Sequence, residues 1–291
     1  MGVTLSKTIE KQRKIKALFT YEIYDKYLHG EITNADLQGL LACDRYSLEL
    51  FMINNGLKSR QQVLKEETNH EIFTNIDTEE KAYLLGFYFA DGSLNGCRLS
   101  VSVSEKDEEI IDLFQKSICE YNRKSLSKPF FNKKTKYTSK PIVSITFNSK
   151  KIAEVLTKYG IGERKTYETK TDLSFIPNEL MIHFIRGYFD GDGTVCCVKT
   201  HCKRVLANGE EKKYEVTNYN WNIISHNKEP LLIIKNALEK NYGISPNILE
   251  DKKGNFLIEI NKKEDFFKMR DALYADAHFY LSRKREKYFS I

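Results

Sequence analysis

Two stretches of this chain nearly repeat each other, GFYFADG at residues 86 to 92 and GYFDGDG at 187 to 193. Each reads as the last turns of an apolar helix that stops on an acid, Asp91 or Asp192, just before a glycine. The C-terminus of a helix carries the negative end of the backbone dipole and a set of unpaired carbonyls, so a carboxylate there is repelled. A single such ending is a turn signal, because Asp-Gly often opens a turn after a core helix. Two with matching faces constrain the fold. Gly86 and Ala90 fall four apart on one helix, as Gly187 and Gly191 do on the other. Small residues at that spacing let two backbones approach closely, so the helices are expected to pack side by side and parallel about a pseudo-twofold axis, with both aspartates at one end.

The duplication extends beyond these helices. Asp77-Thr78-Glu79-Glu80 starts the first helix, and Ile176-Pro177-Asn178-Glu179 starts the second with proline in the first turn. After each comes an alternating strand and an apolar helix, LSVSVSEKDEEIIDLF matching WNIISHNKEPLLIIKNAL with Ser104 on Ser225. A later match lays VSITFNSKKIAEVL on FLIEINKKEDFFKM, with Asn148 on Asn261, and each half closes on a basic pair, Arg164-Lys165 and Arg283-Lys284. The second half is longer, mostly in KTHCKRVLANGEEKKYEV, a long hairpin with Asn208-Gly209 at its tip. The expected halves are 77–175 and 176–291.

Residues 1–60 read as all helical. Ile15 to Leu28 is the expected first helix, Thr33-Asn34-Ala35-Asp36 a capping box for the next, and Asp44 the cap of a third closed by Gly56. Short helix, turn, helix resembles a helix-turn-helix module whose second helix, entered at Arg45-Tyr46-Ser47, would lie in a major groove. The alternative is a small helical bundle without DNA contact. Residues 61–76 are polar, lack periodicity and read as a linker.

Two carboxylates beside two helix C-termini make a strongly negative spot that a cation would relieve. The hard oxygen donors on offer, the carboxylates of Asp91 and Asp192 with the carbonyls of Ala90 and Gly191, suit Mg²⁺ or Mn²⁺, which take remaining ligands from water and phosphates. The formal charge of +6 agrees with a polyanionic partner. Six cysteines without a CxxC pair read as reduced thiols of a cytosolic-type compartment, with organelle or nucleus left open. Cys197 and His201-Cys202 lack the second ligand pair a zinc site needs. The opening MGVTLS matches the myristoylation pattern, set aside because a basic run follows it, and no apolar run approaches a membrane span.

LLGFYFADG at 84 to 92 and IRGYFDGDG at 185 to 193 resemble the paired motifs of the LAGLIDADG homing endonucleases, in the single-chain form carrying both copies. The resemblance covers about residues 77 to 291. It implies an α+β fold: a pseudo-twofold pair of αββαββα halves forming a DNA-binding saddle, here with a small all-α N-terminal domain. It also implies a monomer that cuts both strands of duplex DNA, with Asp91 and Asp192 on the metal. By order and context Lys165 and Lys284 match the family's basic residues near the scissile phosphates; otherwise they are helix-end or surface cations. Phe89 departs from the motif, which has aspartate there, as Asp190 does in the second copy.

From Arg123 to Lys151 the chain holds nine Lys or Arg and no acid, interleaved with Phe130, Phe131, Tyr137 and Phe147. Lys128, Lys133, Lys134, Lys136 and Lys140 in that run, Arg98 before it, and Lys199, Lys203, Arg204, Lys212 and Lys213 in the second-half hairpin are the expected DNA contacts. The start at Met1 and the end at Phe289-Ser290-Ile291 are read against a complete intein. Two other readings stand beside the nuclease: a maturase acting on intron RNA, and a transcription regulator with a dead site on the same fold.

Overall fold

The computed structural model describes residues 2–132, 136–162, 171–205, 207 and 209–291. The chain is α+β. Its elements are α1 (Gly2–Leu18), α2 (Tyr21–Leu28), α3 (Asn34–Leu40), α4 (Arg45–Asn54), α5 (Arg60–Glu67), α6 (Glu79–Asp91), β1 (Gly92–Asn95), β2 (Arg98–Ser104), α7 (Glu108–Ile118), β3 (Ser125–Ser127), β4 (Phe131–Asn132), β5 (Tyr137–Thr138), β6 (Ile142–Asn148) and α8 (Lys150–Lys158). The second run is α9 (Met181–Asp192), β7 (Gly193–Val205), β8 (Glu211–Ser225), α10 (Lys228–Tyr242), β9 (Asn247–Glu250), β10 (Phe256–Ile260), α11 (Lys263–Tyr274) and α12 (Ser282–Phe289). From α9 to α11 the order is αββαββα. No helix among the described residues is long and apolar enough to cross a membrane.

Two compact units emerge, Met1–His70 with Ser104–Phe147, and Glu71–Val103 with Asn148–Ile291. These bounds cut across the expected division at 60 and 77. In the first unit, Ile15, Leu37, Leu41, Leu48 and Phe51 form one core. The helix expected over 15–28 is two helices: the Thr20 hydroxyl accepts from Ile23 N–H and caps α2, while α1 reaches back to Gly2. The capping box at Thr33 and the Asp44 cap are both formed.

The stretch expected as a linker instead begins with α5, capped by Ser59 and Gln62. Its polar surface hid the helix, which buries only Val63. Arg60 donates to the Tyr121 carbonyl at 3.0 Å and Asn69 N–H to that of Ile118 at 2.7 Å, so the N-terminal helices are fastened to the 104–147 segment. That segment contributes α7, whose Ile110, Ile111, Phe114 and Ile118 share one buried face, and the β3–β6 pair, with Val143, Ile145 and Phe147 buried. Phe147 is therefore core rather than groove surface.

The second unit is built on α6 and α9. Both end on their aspartates, but α9 starts at Met181, after a turn in which Leu180 N–H donates to the Pro177 carbonyl. A Cβ on Gly86 would lie 2.0 Å from the Phe184 carbonyl oxygen, and one on Gly187 would lie 2.0 Å from that of Tyr83. Each glycine thus meets a carbonyl three residues before the other, the reciprocal relation a local twofold demands, and the helices run parallel. Further along, a Cβ on Gly191 would lie 2.3 Å from the Ala90 Cβ. Gly92 and Gly193 pass directly into β1 and β7.

The β1–β2 hairpin runs in register from Gly92↔Val101 to Asn95↔Arg98. The other sheet has the order β7-β8-β10-β9, all antiparallel. Its inner face carries Val195, Trp221, Ile223, Ile258 and Ile260, all buried, and Trp221 stacks on Phe189 of α9 at 5.1 Å. Gly209, at φ +85°, stands in the turn of the long hairpin; Asn208 lies outside the described residues.

Replacing Gly187 with Ala should cost about 1–3 kcal/mol, because neither backbone can yield. Gly39→Ala, where nothing lies within 4 Å of the new methyl, should stabilise α3 by about 0.5–1 kcal/mol. Urea unfolding midpoints of the two variants check the pair.

Candidate functional site

Asp91 and Asp192 are exposed at the same end of the parallel pair. A Cβ on Gly191 would lie 3.1 Å from Asp91 Oδ2, which places the Asp91 carboxylate against the last turn of α9. Asp192 lines a cavity of about 420 Å³ with Phe89, Ala90, Tyr188, His226 and Asn227.

The third charged group at this end is Lys284. It is 7% exposed, and its ammonium donates to the carbonyls of Phe189 at 2.6 Å, Gly191 at 3.2 Å and Gly193 at 2.6 Å. An ammonium has three donors, and all three are spent on the backbone that carries Asp192. Burial pushes this lysine down to about 8 against the pull of Asp190, Asp91 and Asp192. The sequence reading placed Lys284 at a phosphate; the geometry makes it the cation that neutralises the end of α9. It also sits on the carbonyl of Gly191, so that oxygen is a poor ligand for a second cation. Lys165, its expected counterpart, lies outside the described residues.

The donor set that remains, two exposed carboxylates and the helix-end carbonyl of Ala90, fits a hard divalent ion that keeps most of its ligands as water and phosphate. No cluster of three or more His, Cys, Asp or Glu is found among the described residues, so neither a zinc centre nor an all-protein cage forms there.

Fully buried, Asp190 accepts from the Tyr83 hydroxyl at 2.9 Å, from the Tyr274 hydroxyl and from Leu281 N–H at 2.8 Å. Burial pushes it up to about 6, against these donors. It ties α6, α11 and the residue that precedes α12 to one point, and α12 carries Lys284. At the matching position Phe89 packs edge-on against Phe184 and Tyr188, at 5.7 and 5.1 Å.

A second buried charge went unseen in the sequence. Arg186, 1% exposed, donates to the carbonyls of Phe279 at 2.7 Å and Leu273 at 2.9 Å, and to Glu79 Oε1 at 2.6 Å. Glu79 also accepts from His278, through its backbone N–H and its ring nitrogen, both at 2.9 Å. Burial alone would raise the Glu79 carboxyl, but His278 and Arg186 hold it below its ordinary value. The only local signal was an arginine in an apolar helix.

The expected DNA contacts divide. In α4, Tyr46 is exposed and Arg45 pairs with Glu49 at 2.9 Å, but Ser47 is buried and bonded to the Asp44 cap, out of reach of a groove. Arg98, Lys128, Lys136 and Lys140 are exposed, whereas Lys133 and Lys134 lie outside the described residues. On the long hairpin Lys199 pairs with Glu215 at 3.1 Å and Lys203 with Glu211 at 3.4 Å. The register opposes Lys203 to Lys213 on the face where Lys203 already pairs with Glu211, and Arg204 to Lys212 on the other face. Like charges directly opposite across strands are destabilising unless an anion joins them.

The fold has known counterparts. The homing endonuclease I-WcaI, bound to its DNA recognition sequence, aligns with 77% of this chain and 91% of its own, at 14% identity and a TM-score of 0.50. The I-SmaMI LAGLIDADG homing endonuclease bound to cleaved DNA aligns over 72% and 86%, at 14% identity and 0.46. Full-length DUF199/WhiA from Thermatoga maritima aligns over 76% and 64%, at 17% identity and 0.42. No family model and no curated protein matches the sequence. The likeness to I-WcaI is one of fold.

The Arg186–Glu79 pair sets a stability test. Glu79→Ala leaves a buried guanidinium without its acid and should cost about 3–5 kcal/mol in chemical unfolding. Adding Arg186→Met should recover part of that loss, and a double variant no more stable than Glu79→Ala alone would show that the charge is not what the glutamate serves.

Proposed function

We propose that this protein is a site-specific endonuclease that cuts both strands of duplex DNA with a divalent metal, Mg²⁺ or Mn²⁺. The observation that carries the reading is the convergence of two exposed carboxylates at the negative ends of two parallel helices, a placement that costs free energy and gains it back only from a cation. Two further features support it. The cationic cross-strand pair Arg204–Lys212 stands at the far end of a hairpin that begins one residue after Asp192. A protein of similar fold, I-WcaI, is a homing endonuclease seen on its recognition DNA.

A metal ion at this site would polarise the scissile phosphate and lower the pKa of a bound water. The chain's own groups act around that chemistry. Asp91 and Asp192 would hold the ion and leave its other positions to water and phosphate oxygens. Lys284 holds the backbone from Phe189 to Gly193, and so the position of Asp192; it is a positioning residue. Arg204 and Lys212 track phosphates away from the cut, and Arg45 and Tyr46 on α4 offer a second contact. That every donor of Lys284 is engaged also favours one other reading, a DNA-binding regulator on this fold that does not cut.

Asp91→Asn or Asp192→Asn should abolish cleavage in Mg²⁺ while DNA affinity stays within roughly tenfold, or about 1.4 kcal/mol. Ca²⁺ in place of Mg²⁺ should likewise permit binding and suppress cutting. Sequence-specific binding by the unaltered protein with no cleavage in Mg²⁺ or Mn²⁺ would select the regulator. Lys284→Met should lower the unfolding midpoint together with the cleavage rate, since three carbonyls lose their donor. A variant that unfolds like the parent but cuts on the order of 10² more slowly would return the ammonium to the phosphate.

A further inference from the structure

The register of the β7-β8-β10-β9 sheet fixes which side chains face away from its core, and therefore which would meet base edges if duplex DNA lies on that face. Trp221 and Ile223 point inward, so Asn218, Asn220 and Asn222 alternate with them on the outer face of β8. Asn222 stands opposite Thr194 on one side and Glu259 on the other, and Glu259 stands opposite Asn247. The next outward row is apolar: Ile224 opposite Leu257, and Leu257 opposite Leu249.

These amides are ordered before any ligand arrives. Asn222 donates to Asn220, Asn220 to Asn261 Oδ1 at 2.9 Å, and Asn261 to Glu259 Oε1 at 2.7 Å. Asn218 donates separately to the Thr200 hydroxyl at 3.0 Å. Held side chains lose less rotamer freedom on binding than free ones.

In the major groove an Asn amide pairs bidentately with adenine N6 and N7, an apolar side chain packs on the thymine methyl, and Arg or Lys takes guanine O6 and N7. On the outer face of β7 and β8 the first cations are Arg204 and Lys212, at the far end of the hairpin. Between them and Asp192 the outward positions hold amides, hydroxyls, thiols, a tyrosine and aliphatics. Glu259 is the one residue there suited to cytosine, and Asn261 occupies one of its oxygens. The β1–β2 hairpin presents mostly hydroxyls that pair with any base, Ser93, Ser100 and Ser102, with a single amide, Asn95, and the guanine reader Arg98 confined to its tip.

We infer that this sheet face selects A·T base pairs in one half-site beside the cut, with Asn218, Asn220 and Asn222 as adenine readers. The inference rests on the endonuclease reading, and it makes the target asymmetric. Asn218 to Asn222 spans about 13 Å at ~3.3 Å per residue, or roughly four base steps at ~3.4 Å.

The test exposes the full chain, in Ca²⁺, to a duplex library randomised over one target length, and sequences the bound fraction. The expected result is a run of about four A·T pairs on one side of the centre only. Asn220→Ala should relax one of those positions by on the order of tenfold and leave the others unchanged. Asn220→Arg should turn the same position toward guanine. Selected sites with G·C pairs throughout that run, or an Asn220→Ala profile identical to the parent's, would overturn this assignment and leave the endonuclease reading standing. A bound fraction with no enriched sequence would overturn both.

Discussion

The contact on which the second unit depends is between backbones. Gly86 and Gly187 each face a main-chain carbonyl of the other helix at a separation that excludes even a methyl. The approach of Gly191 to Ala90 further along shows that the helices run parallel, and parallel helices add their dipoles. Both negative ends fall at the same place, and the chain then adds two carboxylates there. The site's electrostatics is thus a consequence of how closely two glycines allow the backbones to pack. Lys284 relieves part of that charge from inside the protein, at three carbonyls of one helix end. The two aspartates remain on the outside, where a mobile cation can reach them.

The helix pair is symmetric in backbone and asymmetric in chemistry. Asp190 gathers three donors, while the equivalent Phe89 packs among rings. Arg186 is a buried cation; one residue before the other glycine stands Leu85, which is simply buried. Both polar networks lie on the α9 side, and both reach the stretch from Leu273 to Leu281 that leads into α12. Each anchors the segment that delivers Lys284. The copy with the longer hairpin therefore also has the more elaborately fastened helix end, and the outer face of its sheet carries the row of three asparagines.

Much of this was legible in the residues. The small-residue faces, the two terminal aspartates and the strand and helix order of each half are local or periodic signals, and they suffice for the fold. The Thr33 and Asp44 caps were read from side chains that bond within three residues. What could not be read depended on partners far away in sequence. Arg186 finds Glu79 more than a hundred positions earlier, and no spacing rule announces it. The burial of Lys284 was not legible because it sits in SRKREKYF, a run of charge; that one lysine of the run turns inward is decided by the carbonyls that meet it. The 61–76 stretch looked like a linker because α5 buries a single side chain, too few for a period to show.

The placement of charge along the outer sheet face follows from the same site. A cation on the first outward positions of β7 or β8 would lie within reach of Asp192. At an effective dielectric near 20, two unit charges about 4 Å apart attract by about 4 kcal/mol, enough to compete with a divalent ion and its waters for the carboxylate. Lys284 avoids that competition by being buried and committed to the backbone. On the proposed reading, the outward positions of β7 and β8 nearest Asp192 are consequently filled by uncharged groups, the Asn row and its aliphatic neighbours, and the cations of these two strands stand at the far end of the hairpin. On that reading, base recognition by amides near the cut and phosphate tracking by Arg204 and Lys212 away from it are one arrangement, which leaves Asp91 and Asp192 within reach of a cation.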